Sequence, residues 1–181
     1  MPDSIVIVPY DPIWPERFLE LGTTLRQVLG ATALRIDHIG STAVPGLDAK
    51  PIIDVQISVV SFEPLNAYRI PIESQSFVFR ANNPDLTKRY FREGPGRRRT
   101  HIHVRRAGSW AEQGALLFRD YMRTHEQDAR RYAELKYDLA EKFRGDRPGY
   151  TTGKDPLIWE ILANADKWSQ ETGWKPGTSD A

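Results

Sequence analysis

The spacing of apolar residues changes several times along the chain, and each change marks an element. Residues 4–8 (SIVIV) are a short β-branched run. Asp11-Pro12 then pairs a helix-capping residue with proline at the first helical position. From Ile13 the apolar residues Phe18, Leu21, Leu25, Val28 and Leu29 recur at helical spacing until Gly30. Residues 34–39 read as a strand, and the HIGSTAVPGLDAKP segment that follows is loop-like, punctuated by Gly40, Pro45, Gly46 and Pro51. Residues 52–60 (IIDVQISVV) are β-branched and nearly continuously apolar, as in a central buried strand.

The second half begins with a short helix at 63–68 and strands at 76–80, 88–92 and 100–106, with Glu93-Gly94-Pro95-Gly96 as a hairpin loop between the last two. Ser109-Trp110-Ala111-Glu112 has the form of a capping box, which predicts a helix to about residue 125. A second helical run over 128–144 places Ala129, Tyr132, Leu135, Leu139 and Phe143 on one face. Residues 145–153 read as a loop, and Asp155-Pro156 opens a last helix through Trp168. The polar tail from Ser169 is expected to fray. This order predicts an α+β domain over residues 1–168: a mixed sheet with helices packed on it, a C-terminal helical segment, and a tail at 169–181. Trp14, Phe18, Trp159 and Trp168 are expected to pack between elements.

Composition narrows the picture. A chain of 181 residues, 40% hydrophobic and 27% charged, suits one globular core. With 25 basic and 24 acidic side chains the net charge is +1, so whole-chain charge gives no reason to expect a nucleic-acid partner. Arg97, Arg98, Arg99, Arg105 and Arg106 nevertheless cluster. The absence of cysteine excludes disulfides and thiolate metal sites. No run approaches 18 apolar residues and the N-terminus lacks a signal-peptide pattern, so a cytoplasmic protein without a membrane partner is expected.

The candidate chemistry lies in HIGSTAVPGLDAKPIIDVQI. A strand ends at Gly40-Ser41, where a glycine permits close backbone approach to a phosphate and the serine hydroxyl can donate to it. Asp54 lies in the next, apolar strand, and a carboxylate there needs a partner, which a divalent cation shared with phosphates would supply. Lys50 can reach back toward a phosphate as a point charge. Arg97, Arg98 and Arg99 could grip an anion. His38 could orient the loop or sit satisfied in the core.

The spacing of Gly40-Ser41 and Asp54 resembles the signature of the polymerase-β-type nucleotidyltransferase superfamily. In more detail, YDPIWPERF (10–18), HIGSTAVPGLDAKPIIDV (38–55), RTHIHV (99–104), FRDYMRTH (118–125), YAELK (132–136) and the 150–159 segment with Lys154 resemble the GrpB family. The resemblance spans nearly the whole chain. It implies the nucleotidyltransferase-like fold, and a similar domain is fused to dephospho-coenzyme A kinase in some bacteria. It also implies that Arg119, Lys136, Tyr150 and Lys154 border the cleft. Active superfamily members carry a second carboxylate two residues after the first, and here that position is Gln56. The third acidic position falls near His101 and His103, which alternate on a strand and share a face.

These residues define an expected site. Asp54 and Ser41 would be catalytic, and Gly40, Ser41, Lys50, Arg99 and Lys154 would bind the ligand. Asp54, Gln56, His101 and His103 would hold a divalent metal, Mg or Mn, or Zn given the nitrogen donors. The partner would be a nucleotide or a phosphorylated small molecule. Gln56 leaves three readings open: a metal-dependent nucleotidyltransferase, a non-catalytic nucleotide- or metabolite-binding module, or a folding and assembly domain on the same fold.

Overall fold

The computed structural model of the protein describes residues 5–181. Ser4, the first residue of the opening apolar run, lies outside the described residues. Helix α1 (Ile13–Leu29) precedes strands β1 (Arg35–Ile39) and β2 (Ile53–Val59). Helix α2 (Asn66–Ser74) leads to β3 (Phe77–Phe79), β4 (Arg89–Glu93) and β5 (Thr100–Arg106), and four helices follow: α3 (Trp110–Thr124), α4 (Glu126–Lys142), α5 (Arg147–Thr152) and α6 (Asp155–Thr172). The strands form one sheet in the order β1-β2-β5-β4-β3, in which β2 and β5 are parallel and the other pairs antiparallel. The fold is the expected α+β mixed sheet. No helix among the described residues is long and apolar enough to cross a membrane.

Strand alternation gives the sheet two unlike faces. Ile53, Val55, Ile57 and Val59 of β2 join Phe91, Ile102 and Val104 in a core with Trp14, Phe18 and Leu25 of α1 and with Tyr68 and Ile72 of α2. The other face is polar: Asp54, Gln56 and Ser58 on β2 lie beside His101, His103 and Arg105 on β5. Over it sits a second core, in which Val44 and Leu47 of the β1–β2 connection pack with Leu117, Tyr121 and Met122 of α3, Tyr132 of α4 and Ile161 of α6. The apolar run of β2 therefore hides buried polar groups, and these are satisfied. Glu112 turns into the sheet, where its carboxylate accepts from the Ser58 hydroxyl (2.6 Å) and the Gly108 amide (2.9 Å). Only half of the expected capping box forms, with Ser109 Oγ accepting from the Glu112 amide at 3.3 Å, because the glutamate is committed elsewhere.

Three elements differ from expectation. The 145–153 loop contains α5, capped by the Asp146 carboxylate on the Gly149 amide (3.0 Å). Helix α2 starts three residues later than expected and runs through Pro71, held by burial of Tyr68 and Ile72 one turn apart. The tail does not fray. Gly173 closes α6 in the left-handed conformation, and residues 177–181 then line the free edge of β1. The Ala181 amide donates to Ile36 O, Ser179 Oγ accepts from the Ile36 amide, and Asp180 Oδ2 accepts from the His38 amide. Asp180 also pairs with buried Arg119 at 2.8 Å. Of the four aromatic residues expected to pack between elements, Trp14, Phe18 and Trp168 do so, whereas Trp159 faces solvent.

Candidate functional site

The site forms where β1 ends and β2 and β5 begin. Gly40 adopts φ +72°, and a Cβ there would meet Asp54 Oδ2 at 2.7 Å. The glycine thus lets the Ser41–Ala43 turn close directly onto the carboxylate. Thr42 fixes this turn from below by donating to Ile52 O at 3.1 Å. That uses its one hydroxyl proton, so His38 Nε2, 3.0 Å from Thr42 Oγ1, is the donor of that pair. His38 stacks on Phe18 with ring centroids 4.8 Å apart, and burial lowers its pKa to about 4. It is a neutral core histidine that orients the loop, which joins both roles considered for it.

Asp54 pairs with His101 across the parallel strands and shares a face with His103. Its Oδ1 lies 3.1 Å from His101 Nδ1 and 3.2 Å from His103 Nε2. Burial acts to raise the Asp54 pKa, but the hydrogen bonds and charges of the two histidines outweigh it and hold the carboxyl well below its ordinary range. Burial pushes His103 down to about 4, so it is neutral near pH 7. One donor atom from each of the three residues lies within 4.8 Å of the others. Donors bound at roughly 2.1 Å to one ion would stand about 3.0–3.4 Å apart, so the two contacts to Asp54 fit a shared cation. A carboxylate with two imidazoles suits zinc, manganese or iron better than magnesium. Gln56, expected as a fourth ligand, has its amide engaged elsewhere. Its Oε1 accepts from Arg105 and its Nε2 donates to Glu112 O at 3.2 Å.

Beside this cluster opens a cavity of about 380 Å³ lined by Gly40, Ser41, Lys50, Asp54, His101, His103 and Lys154 among others. Four lysines line it (Lys50, Lys88, Lys136, Lys154) against one carboxylate, Asp54. Lys50 and Lys154 hold their ammonium groups 4.5 and 4.9 Å from the Tyr150 ring centroid. Lys136 is buried and donates to Asp48 O. Burial and then the neighbouring Lys154 charge lower its pKa to about 7, and the same causes lower Lys50 to about 8.

Arg99 does not line this cavity, although its charge acts on Lys50. Arg97 and Arg98 face a separate cavity beside α1. Arg119, expected at the cleft, is buried instead and donates to His38 O at 3.1 Å. Lys88, Tyr90 and Tyr132 were not anticipated here. Lys88 and Tyr90 alternate across the β4 region toward His103, whereas Tyr132 carries the signature of a core residue and gives no separate signal.

The five-stranded mixed sheet with helices packed on it is consistent with the nucleotidyltransferase-like class of α+β folds. Within it, the chain belongs to the GrpB family, whose sequence profile, described as GrpB protein, matches residues 4–164. The crystal structure of conserved protein GrpB from Enterococcus faecalis superposes with a TM-score of 0.82 at 33% identity, covering 91% of this chain and 99% of that one. UPF0157 protein PA4798 of Pseudomonas aeruginosa is 40% identical over 166 residues, 90% of this chain and 68% of that protein. A dephospho-CoA kinase of Mycolicibacterium paratuberculosis is 35% identical over 198 residues, which is 94% of this chain but only 48% of the kinase. The chain thus spans about half the length of that relative.

Proposed function

We propose that the protein binds a nucleotide or another phosphorylated small molecule in the lysine-lined cavity and acts on it as a metal-dependent nucleotidyl- or phosphoryl-transferring enzyme. The observation that carries this reading is the charge around a partly buried cavity, where Lys50, Lys136 and Lys154 face the single carboxylate of Asp54 while Lys88 is paired with Asp85 at 3.2 Å. Such crowding is unfavourable until an anion enters. Lys50 and Lys154 would take phosphate oxygens, Lys136 would add charge from below, and the Ser41 hydroxyl would donate at the turn that Gly40 brings against Asp54. Asp54, His101 and His103 would hold the divalent cation, which when bound polarises a phosphoryl oxygen. Kinship with a chain named dephospho-CoA kinase agrees with a ligand of this class.

A non-catalytic binding module is the second reading, and one observation favours it. The position of the second carboxylate is held by Gln56, whose amide is tied to Arg105 and Glu112.

Thermal-shift and calorimetric titrations with nucleoside triphosphates, each with Mn, Mg or Zn, test both. Stabilisation by nucleotide is expected, reduced at least about tenfold in affinity by Lys50→Met with Lys154→Met. Asp54→Asn is expected to abolish metal binding. Release of pyrophosphate or phosphate separates the enzyme from the binding module. If no phosphate compound binds with any metal, the proposal is wrong.

A further inference from the structure

The lysine-lined cavity is not closed off by the aspartate–histidine cluster. A second cavity of about 360 Å³ shares Gly40, Asp54, His103 and Tyr132 with it and continues between α3 and α6. Its walls are different in kind. Helix α3 contributes Ala111, Gly114, Ala115 and Phe118, and α6 contributes Ile158 and Leu162. Its charged or imidazole lining is confined to the sheet strands, Asp54, His103 and Arg105, whose guanidinium donates to Gln56 Oε1. Trp110 stands on the same rim with 63% of its surface exposed. Its ring therefore does little for the core.

Gly114 lies in the wall of the groove. Glycine is a poor residue for a helix interior, and packing does not demand it here, since a Cβ would meet only the Trp110 ring at 3.9 Å. What the missing side chain does is leave the space between α3 and α6 open. One cavity thus offers excess positive charge and its neighbour a hydrocarbon wall, and the two join at Asp54 and His103.

We infer that the ligand is bipartite: a phosphate ester whose anionic end lies among Lys50, Lys136 and Lys154 and whose apolar, preferably aromatic, body lies in the α3–α6 groove. The linkage between the two parts would then pass Asp54 and His103, where the reacting bond belongs. This rests on the phosphate reading above and sharpens it. A polyhydroxylated body would press unsatisfied hydroxyls against hydrocarbon and is disfavoured. An aromatic body removes apolar surface of the groove, and the exposed Trp110 ring, from water.

Calorimetric titration of three probes tests this: inorganic phosphate, glycerol phosphate and 1-naphthyl phosphate. The wild-type protein is expected to bind naphthyl phosphate at least about tenfold more tightly than glycerol phosphate. Gly114→Leu, which fills the groove, is expected to erase that preference while inorganic phosphate affinity stays within about twofold. Trp110→Ala changes an exposed residue and is expected to weaken the preference without unfolding the protein, so the test stands even if Gly114→Leu fails to fold. Equal affinity for the two esters, or a preference that survives both substitutions, overturns the bipartite ligand and leaves phosphate binding standing. Failure of all three probes to bind overturns the phosphate reading itself.

Discussion

A methyl group at position 40 would sit 2.7 Å from Asp54 Oδ2 on a backbone held at φ +72°. Both facts act against any residue but glycine, the first by overlap and the second by left-handed strain. Gly40→Ala is expected to lower stability by about 1–3 kcal/mol. It should also push the carboxylate away from His101 and His103, weakening Mn or Zn binding at least about tenfold by calorimetry. A variant that binds metal like the wild type would show that the close approach is incidental. At this scale the sequence was readable wherever a residue broke its local pattern. Asp54 is an acid in an apolar strand, and Gly40-Ser41 ends the strand before it. Partners distant along the chain were not readable. Gln56 stood out as a departure, but nothing local indicates that Arg105 and Glu112, 49 and 56 residues away, engage its amide. The same holds for Arg119, which the family resemblance puts at the cleft and which instead bonds His38 O of β1 and pairs with Asp180.

Among the elements, the β1–β2 connection lines one side of the cavity with Gly40, Ser41 and Lys50, and α4, α5 and the residue before α6 add Lys136, Tyr150 and Lys154. Lys136 lies one turn after Tyr132 and one before Leu139, on the buried face of α4. A lysine in phase with apolar residues was the visible signal. Its pKa in the fold is about 7 against 10.5 for an ordinary lysine. Between those values the unfolded chain holds the extra proton, so stability rises with pH there. Urea unfolding of the wild type is expected to gain about 2–3 kcal/mol from this group between pH 7 and pH 9, at about 1.4 kcal/mol per pH unit. Lys136→Met should lose that slope and be the more stable protein near pH 6, whereas identical slopes would mean that the ammonium is solvated. Helix α5 was missed because Asp146-Arg147-Pro148 puts its proline one residue later than the pattern recognised at Asp155-Pro156. The boundaries of β5 were legible in full, since Thr100–Arg106 alternates cleanly and carries its polar face in plain view.

The molecule as a whole solves the problem of its sheet edges unequally. Strand β3 has three residues and offers little to pair with. Strand β1 is longer, and its outward backbone groups are taken up by Ser179, Asp180, Ala181 and Arg119. Deleting residues 175–181 is expected to bare this edge and leave Arg119 short of a carboxylate. The outcome to look for is a lower melting temperature together with concentration-dependent association in light scattering; a monomer of unchanged stability would mean that the tail merely rests there. The tail was illegible because its side-chain and backbone bonds reach a strand more than 140 residues earlier, with no periodicity of its own. The parallel pairing of β2 with β5 has a consequence in time. Asp54 and His101 are 47 residues apart in sequence, and everything between them must be looped out before they meet, which makes their encounter slow and late. A nascent chain that had formed only α1 and the β1–β2 hairpin would own the glycine turn and the aspartate but neither His101 nor His103. Capacity to capture a cation would then appear only as the last strand docks, and would mark the completion of folding.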